Sequence, residues 1–549
     1  MGSLPGRKKS TVATLLAAPL LLSTASWAQP ITPGAVLDTL KRPQEVKPAE
    51  PLVSPATEAA PRASAAPATV AKTITVERFE FAGNTLFSSD DLNTAVAAYV
   101  QRPITLVELY EAADKVTELY VKQGYTLASA IVPAQKVNEG TVRLEVIEGR
   151  IGTVRYEGLR RYKTEGLNYF LDTPSGRIYR ADGFENKLRL VDGLPGLEVR
   201  ARLQPGEAYG SSDIVVQARE RLVEGVAFFD NGGSENIGIF RGGVQLTLNN
   251  PTRTGDQLSL TALRSEGGLL KYGSAAYSLP TGIGASRINL SYAHAEFDIA
   301  GVFAGVGGTN RTVRGELFVP YLNTVSDQLN LIAAVNDTRA DTTFGGISFN
   351  PNQITVLELG GNYTHTFANR GATQVALLVS SNFTGYDATD TASQPLKLDI
   401  DVQQLTPLPW YQLQLLTRTQ FVYSPEPLPD TQKFSIGGPG TVRGYAPSEA
   451  RGDWGYLAQI TLRRSYLLGP VLATPRIFYD AGITRQHRLD RFPLGSAPQE
   501  LSLASYGLGG DLGYQSFNFK FDYAVPTTDV PVSDGKEDGR FYGTFSLAF

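Results

Sequence analysis

Two stretches in the C-terminal half hold residue types that could act together. Residues 437–445 read GGPGTVRGY, with five of nine positions glycine or proline and a single charge, Arg443. Such a run sets the backbone for tight turns. It presents Arg443 between Val442 and Gly444, with Tyr445 next. Residues 476–482 read RIFYDAG, a strand pattern that puts Phe478, Asp480 and Gly482 on one face. If that face looks into a barrel, Asp480 is an inward carboxylate. A lone guanidinium on a glycine-rich loop could then pair with it and latch the loop inside the lumen. Spacing alone leaves a plainer alternative open and weighs towards it: a solvated loop arginine and an ordinary lumen carboxylate.

Catalytic chemistry finds less support. The histidines are His294, His365 and His487, and none sits in a recognisable partner motif. The sequence has neither a G-x-S-x-G elbow nor H-E-x-x-H. GxxxxGK[ST], the loop that cradles nucleotide phosphates, is also missing. With no cysteine, disulfide scaffolds, thiolate zinc sites and cysteine nucleophiles are excluded. Spacing does not exclude a histidine–carboxylate metal site, but nothing points to one. Arg451-Gly452-Asp453 reads as an adhesion tripeptide only by coincidence. The expectation is no enzyme, no cofactor and no metal.

The elements that position the Arg443/Asp480 pair come from the rest of the 549 residues. Arg7, Lys8 and Lys9, the apolar run 12–22, and Ser26 with Ala28 before a cleavage point predict a secretory signal peptide over residues 1–28. Its removal takes three bases and no acids, moving the formal charge from −4 to −7, so no basic excess argues for nucleic acid. Beyond it there is no uninterrupted apolar run of about 18 residues, hence no predicted membrane helix. An exported chain can still cross a membrane as a closed barrel, which satisfies its backbone groups between strands. A mean hydropathy of −0.13 with 55 glycines, 25 tyrosines and 25 phenylalanines fits that class.

Period-two alternation dominates residues 226–549. Tyr456, Ala458, Ile460 and Leu462 oppose Gln459, Thr461 and Arg463, and Phe517, Phe519, Phe521 and Tyr523 oppose Asn518, Lys520 and Asp522. The last strand sets Phe541, Phe545, Leu547 and Phe549 on one face. At about 20 residues per strand and turn, this region predicts a transmembrane β-barrel of about 16 antiparallel strands. A soluble β-sandwich array or propeller is the competing fold, but no blade-length repeat is visible.

Ahead of the barrel the pattern is α+β. In residues 73–150, ITVERFEF reads as a strand, Ser88 with Asp91 resembles a capping box, and Thr105 opens a longer helix closed by Gly124. LASAIVPA and TVRLEVIEG follow as strands, giving the order βααββ. Residues 151–225 repeat that order more loosely, with helices near 164–170 and 181–191. Before them, residues 43–72 are rich in Pro, Ala, Glu and Ser and read as a flexible linker. Residues 29–42 offer Val36, Leu37 and Leu40 at helical spacing.

Together, the tandem modules, the barrel, Val442-Arg443-Gly444-Tyr445 and the Phe478-x-Asp480 strand resemble the two-partner-secretion (type Vb) outer-membrane transporters. These are the haemolysin and filamentous-haemagglutinin exporters, in the superfamily of barrels with polypeptide-transport-associated (POTRA) modules. The resemblance covers essentially the whole chain after residue 28. It implies two POTRA domains, at 73–150 and 151–225, and a plug helix at 29–42. It also implies a loop-six tip at Val442, Arg443, Gly444 and Tyr445, latched on Phe478, Asp480 and Gly482 of the barrel wall. Phe549 would end the signal by which the barrel-assembly machinery recognises the chain. The implied partners are a large secreted TpsA-type exoprotein, bound unfolded by the POTRA domains in the periplasm, and outer-membrane lipid. The implied function is nucleotide-free export of that partner. The alternative is an insertase that assembles other outer-membrane proteins. Two modules with a Pro-rich linker favour export.

Overall fold

The computed structural model describes residues 32–40, 45–48, 50, 52–54, 73–301, 304–348, 351–387, 395–487, 500–528, 533–536 and 538–549. The expected signal peptide and residues 55–72 of the expected linker lie outside the described residues, as does the Leu37 side chain.

Helix α1 (Pro33–Leu40) and strand β1 (Val53–Ser54) come first. The first module then runs through β2 (Thr73–Val76), β3 (Arg78–Ala82), α2 (Ser89–Val96), β4 (Arg102–Thr105), α3 (Leu106–Lys122), β5 (Ser129–Ile131) and β6 (Thr141–Ile147). Both helices start on capping boxes, Ser88 with Asp91 and Thr105 with Glu108. Each box satisfies amides that the first turn would leave orphaned, and such a cap is worth about 1 kcal/mol. Leu109, Ala112, Ala113, Val116 and Tyr120 of α3 recur at helical spacing and are buried on the sheet β3-β6-β5. The expected single strand ITVERFEF is broken after Val76. Its first half pairs with β4 instead of joining the main sheet.

The second module uses β7 (Arg150–Glu157), α4 (Thr164–Leu171), α5 (Ala181–Asp192), β8 (Leu197–Pro205) and β9 (Ser211–Glu220). Its sheet order is β1-β8-β9-β7, so residues 53–54 add a parallel strand to the β8 edge. This departs from the composition-based expectation that residues 43–72 bury little. Leu52 and Val53 pack against the module core, because they are apolar residues beside an open sheet edge.

Strand β10 (Val223–Asp230) opens an antiparallel barrel that closes when β10 pairs with strand Arg540–Ala548. Sixteen strands form the wall, and the short pieces Ile347–Ser348 and Tyr466–Leu468 extend its hairpins. Gly225 and Phe549 exchange backbone hydrogen bonds at 2.8 and 2.9 Å, so both barrel ends meet on the module side. Outward positions are apolar and exposed, as at Leu290, Val313, Leu359, Ile477, Tyr479 and Leu508. Residues of opposite parity point inward, as at Arg476, Phe478 and Asp480. No described helix is long and apolar enough to cross a membrane; the strands carry that role.

Candidate gating site in the barrel lumen

Residues 424–453 join strands Gln414–Tyr423 and Trp454–Arg463, the sixth connection on the side away from the modules. Strands Phe434–Ile436 and Ala450–Gly452 pair as the stem of this loop. Its tip is a compact turn. Gly438 N–H donates to the Tyr445 carbonyl at 3.0 Å, and Thr441 Oγ1 donates to the Gly437 carbonyl at 2.9 Å. Gly437 has φ +107°, and a Cβ there would lie 2.4 Å from the Ala446 carbonyl oxygen, so the turn requires glycine.

The tip is packed into the lumen. Val442 and Tyr445 are fully buried with Phe434, Ile436, Leu457 and Leu503. Gly444 sits so close to the wall that a Cβ would lie 2.7 Å from Ser505 Cβ, and its N–H donates to Ser505 Oγ at 3.1 Å. The Tyr542 hydroxyl donates to the Tyr445 carbonyl at 2.7 Å.

Arg443 meets Asp480 directly. Its Nε and Nη2 donate to Asp480 Oδ2 and Oδ1, each at 2.7 Å, and its backbone N–H donates to Oδ2 at 3.2 Å. This is a bidentate, charge-assisted pair, with side chains 8% and 0% exposed. The guanidinium also stacks on Phe478, 3.3 Å from the ring centroid. Gly507 makes room for that ring, since a Cβ there would lie 2.4 Å from it. Gly482, two residues beyond Asp480, backs the loop stem, its missing Cβ 3.1 Å from Ile436 Cδ1.

Several further residues of this site escaped the sequence reading. Asp522 lies 3.7 Å from Arg443 Nη1 and accepts from Arg476 Nε at 2.8 Å; Arg476 also pairs with Asp511. Thr461 and Gln459 approach from the neighbouring strand, where Gln459 Nε2 donates to the Thr441 carbonyl at 2.7 Å. Ser505 holds the Gly444 amide. Parity placed Asp522, Thr461 and Gln459 inward, but parity does not say which inward residues meet a loop. Arg451, set aside as part of a chance tripeptide, is buried against α1: Nη1 donates to Thr32 Oγ1 at 2.8 Å and Nη2 lies 3.3 Å from Asp38.

Helix α1 lies in the lumen beside this loop. Val36 is buried among Ile237, Leu263, Leu270, Phe297 and Ile299, and Leu40 packs against the same cluster. On the module side, Glu45 pairs with Arg463 at 2.7 Å and Val46 packs on Ala372 and Leu405. Two histidines have structural contacts: His365 Nδ1 lies 2.7 Å from Asp327 Oδ1, and His487 Nε2 lies 2.7 Å from the Ser424 carbonyl oxygen.

A model of the haemolysin secretion/activation protein ShlB/FhaC/HecB family matches residues 210–511. The chain belongs to this family. A POTRA domain model of ShlB type matches residues 74–149. The heme/hemopexin transporter protein HuxB of Haemophilus influenzae (strain 86-028NP) is 22% identical over 84% of this chain and 83% of its own length. Among solved structures, CdiB from Escherichia coli superposes with TM-score 0.67 at 20% identity, covering 91% of this chain and 94% of that one. BamA from Haemophilus ducreyi, lacking POTRA domains 1–3, gives 0.55 at 14% identity over 87% and 100%. These likenesses at low identity concern the fold. Family membership makes the protein a two-partner-secretion transporter of the outer membrane, with its POTRA region in the periplasm.

Proposed function

We propose that this transporter exports one dedicated, large exoprotein of adhesin or haemolysin type, as an unfolded chain through the barrel lumen and without nucleotide. Residues 73–150 and 151–225 act as two POTRA domains that capture the partner's secretion domain in the periplasm. Their sheet edges and helix grooves suit an extended chain. Residues 29–42 form the plug, and Val442, Arg443, Gly444 and Tyr445 form a latch on Phe478, Asp480 and Gly482. Residues 1–28 direct export of the precursor, residues 43–72 link plug to docking domains, and Phe549 marks the barrel for the assembly machinery. The protein performs no catalysis and binds no nucleic acid.

The observation that carries this reading is a lumen filled by α1 and by a loop pinned through the buried Arg443–Asp480 pair. A pore closed this way needs an incoming partner to open it. An insertase is the second reading; the likeness to BamA in fold favours it, whereas the family match favours export. Deleting residues 73–221 should abolish the partner's appearance outside the cell while the barrel still inserts. Unchanged secretion sinks export by docking, and a loss of many other barrels on depletion favours the insertase.

A further inference from the structure

Arg451 sits on the return arm of the loop stem, where Ser435 faces it across the hairpin. Its backbone is fixed to the barrel wall: the Arg451 carbonyl accepts from Gln486 Nε2 at 2.9 Å, and Gly452 lies so close to Arg485 that a Cβ would be 2.6 Å from its carbonyl oxygen. The side chain, 5% exposed, reaches two carboxylates on different elements. One is Asp430, in the outgoing arm of the same loop, whose side chain pairs with Nη1 and whose carbonyl accepts from Nη2 at 2.7 Å. The other is Asp38 of α1, 3.3 Å away, with Thr32 at the start of the helix accepting at 2.8 Å. Nearby, Ser448 holds the left-handed conformation (φ +57°) and donates to the Ala35 carbonyl at 3.3 Å. A non-glycine residue kept in that region is locally costly and is retained where surrounding contacts demand it.

We propose that Arg451 is the positioning residue that seats the plug helix, and that Asp430 and Asp38 compete for its charge. The inference rests on reading α1 as a plug. While α1 is in place, the guanidinium is shared between the two carboxylates. When α1 leaves with Asp38, Asp430 still pairs Arg451, so release strands no buried charge. A buried ion left alone would make departure far more costly. The plug is thereby held by a contact that is specific yet reversible. The loop carrying Arg443 at its tip carries the plug's seat at its base, so plug and latch share one element.

The sharing fixes the signs of the variants. Arg451→Ala removes the guanidinium that reaches both Asp38 and Asp430, and with it the seat of the helix. Asp38→Asn weakens the seat, since a neutral acceptor replaces a charged one. Asp430→Asn acts oppositely: Arg451 keeps the residue-430 carbonyl but has Asp38 in place of two carboxylates, so departure of α1 costs it a charged partner and the pore tightens.

The test is single-channel conductance of the full-length protein in planar bilayers, alongside a variant lacking residues 32–40 and with heat-modifiability on gels to confirm folded barrels. We expect the deletion and Arg451→Ala to raise the open probability strongly. Asp38→Asn should raise it about tenfold, the difference between a charged and a neutral hydrogen-bond partner, and Asp430→Asn should lower it below wild type. If the deletion leaves conductance unchanged, α1 is no plug and the underlying reading fails. If the deletion opens the pore but Asp430→Asn opens it too, or Arg451→Ala stays closed, the shared seat is overturned. Arg451→Lys provides a second check: it keeps the charge without the fork, and should fall between wild type and Arg451→Ala.

Discussion

Removing the guanidinium of Arg443 should cost secretion without costing the barrel. In Arg443→Ala, Asp480 keeps the residue-443 amide and Gln459 Nε2 at 3.3 Å, but loses both charged donors at 2.7 Å while remaining buried in the wall. Breaking a buried pair by deleting one partner costs about 3–5 kcal/mol, because the other charge is left uncompensated. The stack on Phe478 adds about 1–2 kcal/mol when desolvated. The loop-in state should therefore lose roughly three to five decades of population relative to loop-out. Val442 and Tyr445 remain apolar anchors, and every wall strand keeps its ladder, so insertion should persist. The assay pairs secretion of the partner with planar-bilayer conductance and heat-modifiability. Wild-type behaviour in both transport measurements would refute the latch, and loss of the folded band would show a structural role instead.

Exchanging the charges, Arg443→Asp with Asp480→Arg, asks whether the two groups act by contact. Asp522, 3.7 Å from the Arg443 fork, limits the rescue. After the exchange it would face a second carboxylate at 443, and Arg476, which it holds at 2.8 Å, would share an inward face with a new arginine four residues on. Recovery should be partial, and greater when Asp522→Asn is added. Equal secretion with and without that third change would remove Asp522 from the network.

Other expectations follow from single contacts. Burial alone would push the Glu148 carboxyl up, but hydrogen bonds from the Thr85 hydroxyl, the Thr85 and Leu86 amides and Tyr120 outweigh it and hold it below its ordinary 4.5. Glu148→Gln should weaken the first module by about 1.5–3 kcal/mol at neutral pH, read as lost hydrogen-exchange protection over residues 73–149. Because the folded value is depressed, that stability is present above 4.5 and fades as pH falls through the folded value, so variant and wild type should converge in acid. A gap that persists in acid would assign the effect to packing. At the other end, the Phe549 ring covers Gly225, where a Cβ would lie 2.3 Å from it. Deleting Phe549 should lower the heat-modifiable fraction severalfold, and an unchanged fraction would deny it a part in assembly.

What the sequence disclosed followed how local each cause was. The capping box at Ser88, the helix start at Thr105, and the shared face of Phe478 and Asp480 depend on neighbours two to four residues away, so they could be read directly. Strand count followed from length because a closed wall consumes residues at a nearly fixed rate. The Arg443–Asp480 pair crosses 37 positions, and spacing alone weighed against it; only the family's loop and strand motifs joined the two ends. Longer crossings left no trace. Arg451 meets Thr32 across 419 positions, and nothing in R-G-D distinguishes a solvated arginine from one buried in a lumen. Val53 reads as a linker residue until the bare edge of β8, about 150 positions on, gives it a sheet to join. The longest-range contacts hidden from the sequence are thus the ones between the N-terminal segment and its hosts. They are also the contacts an incoming chain would have to break: a gate must be held by parts that can separate, and separable parts need not be neighbours in sequence.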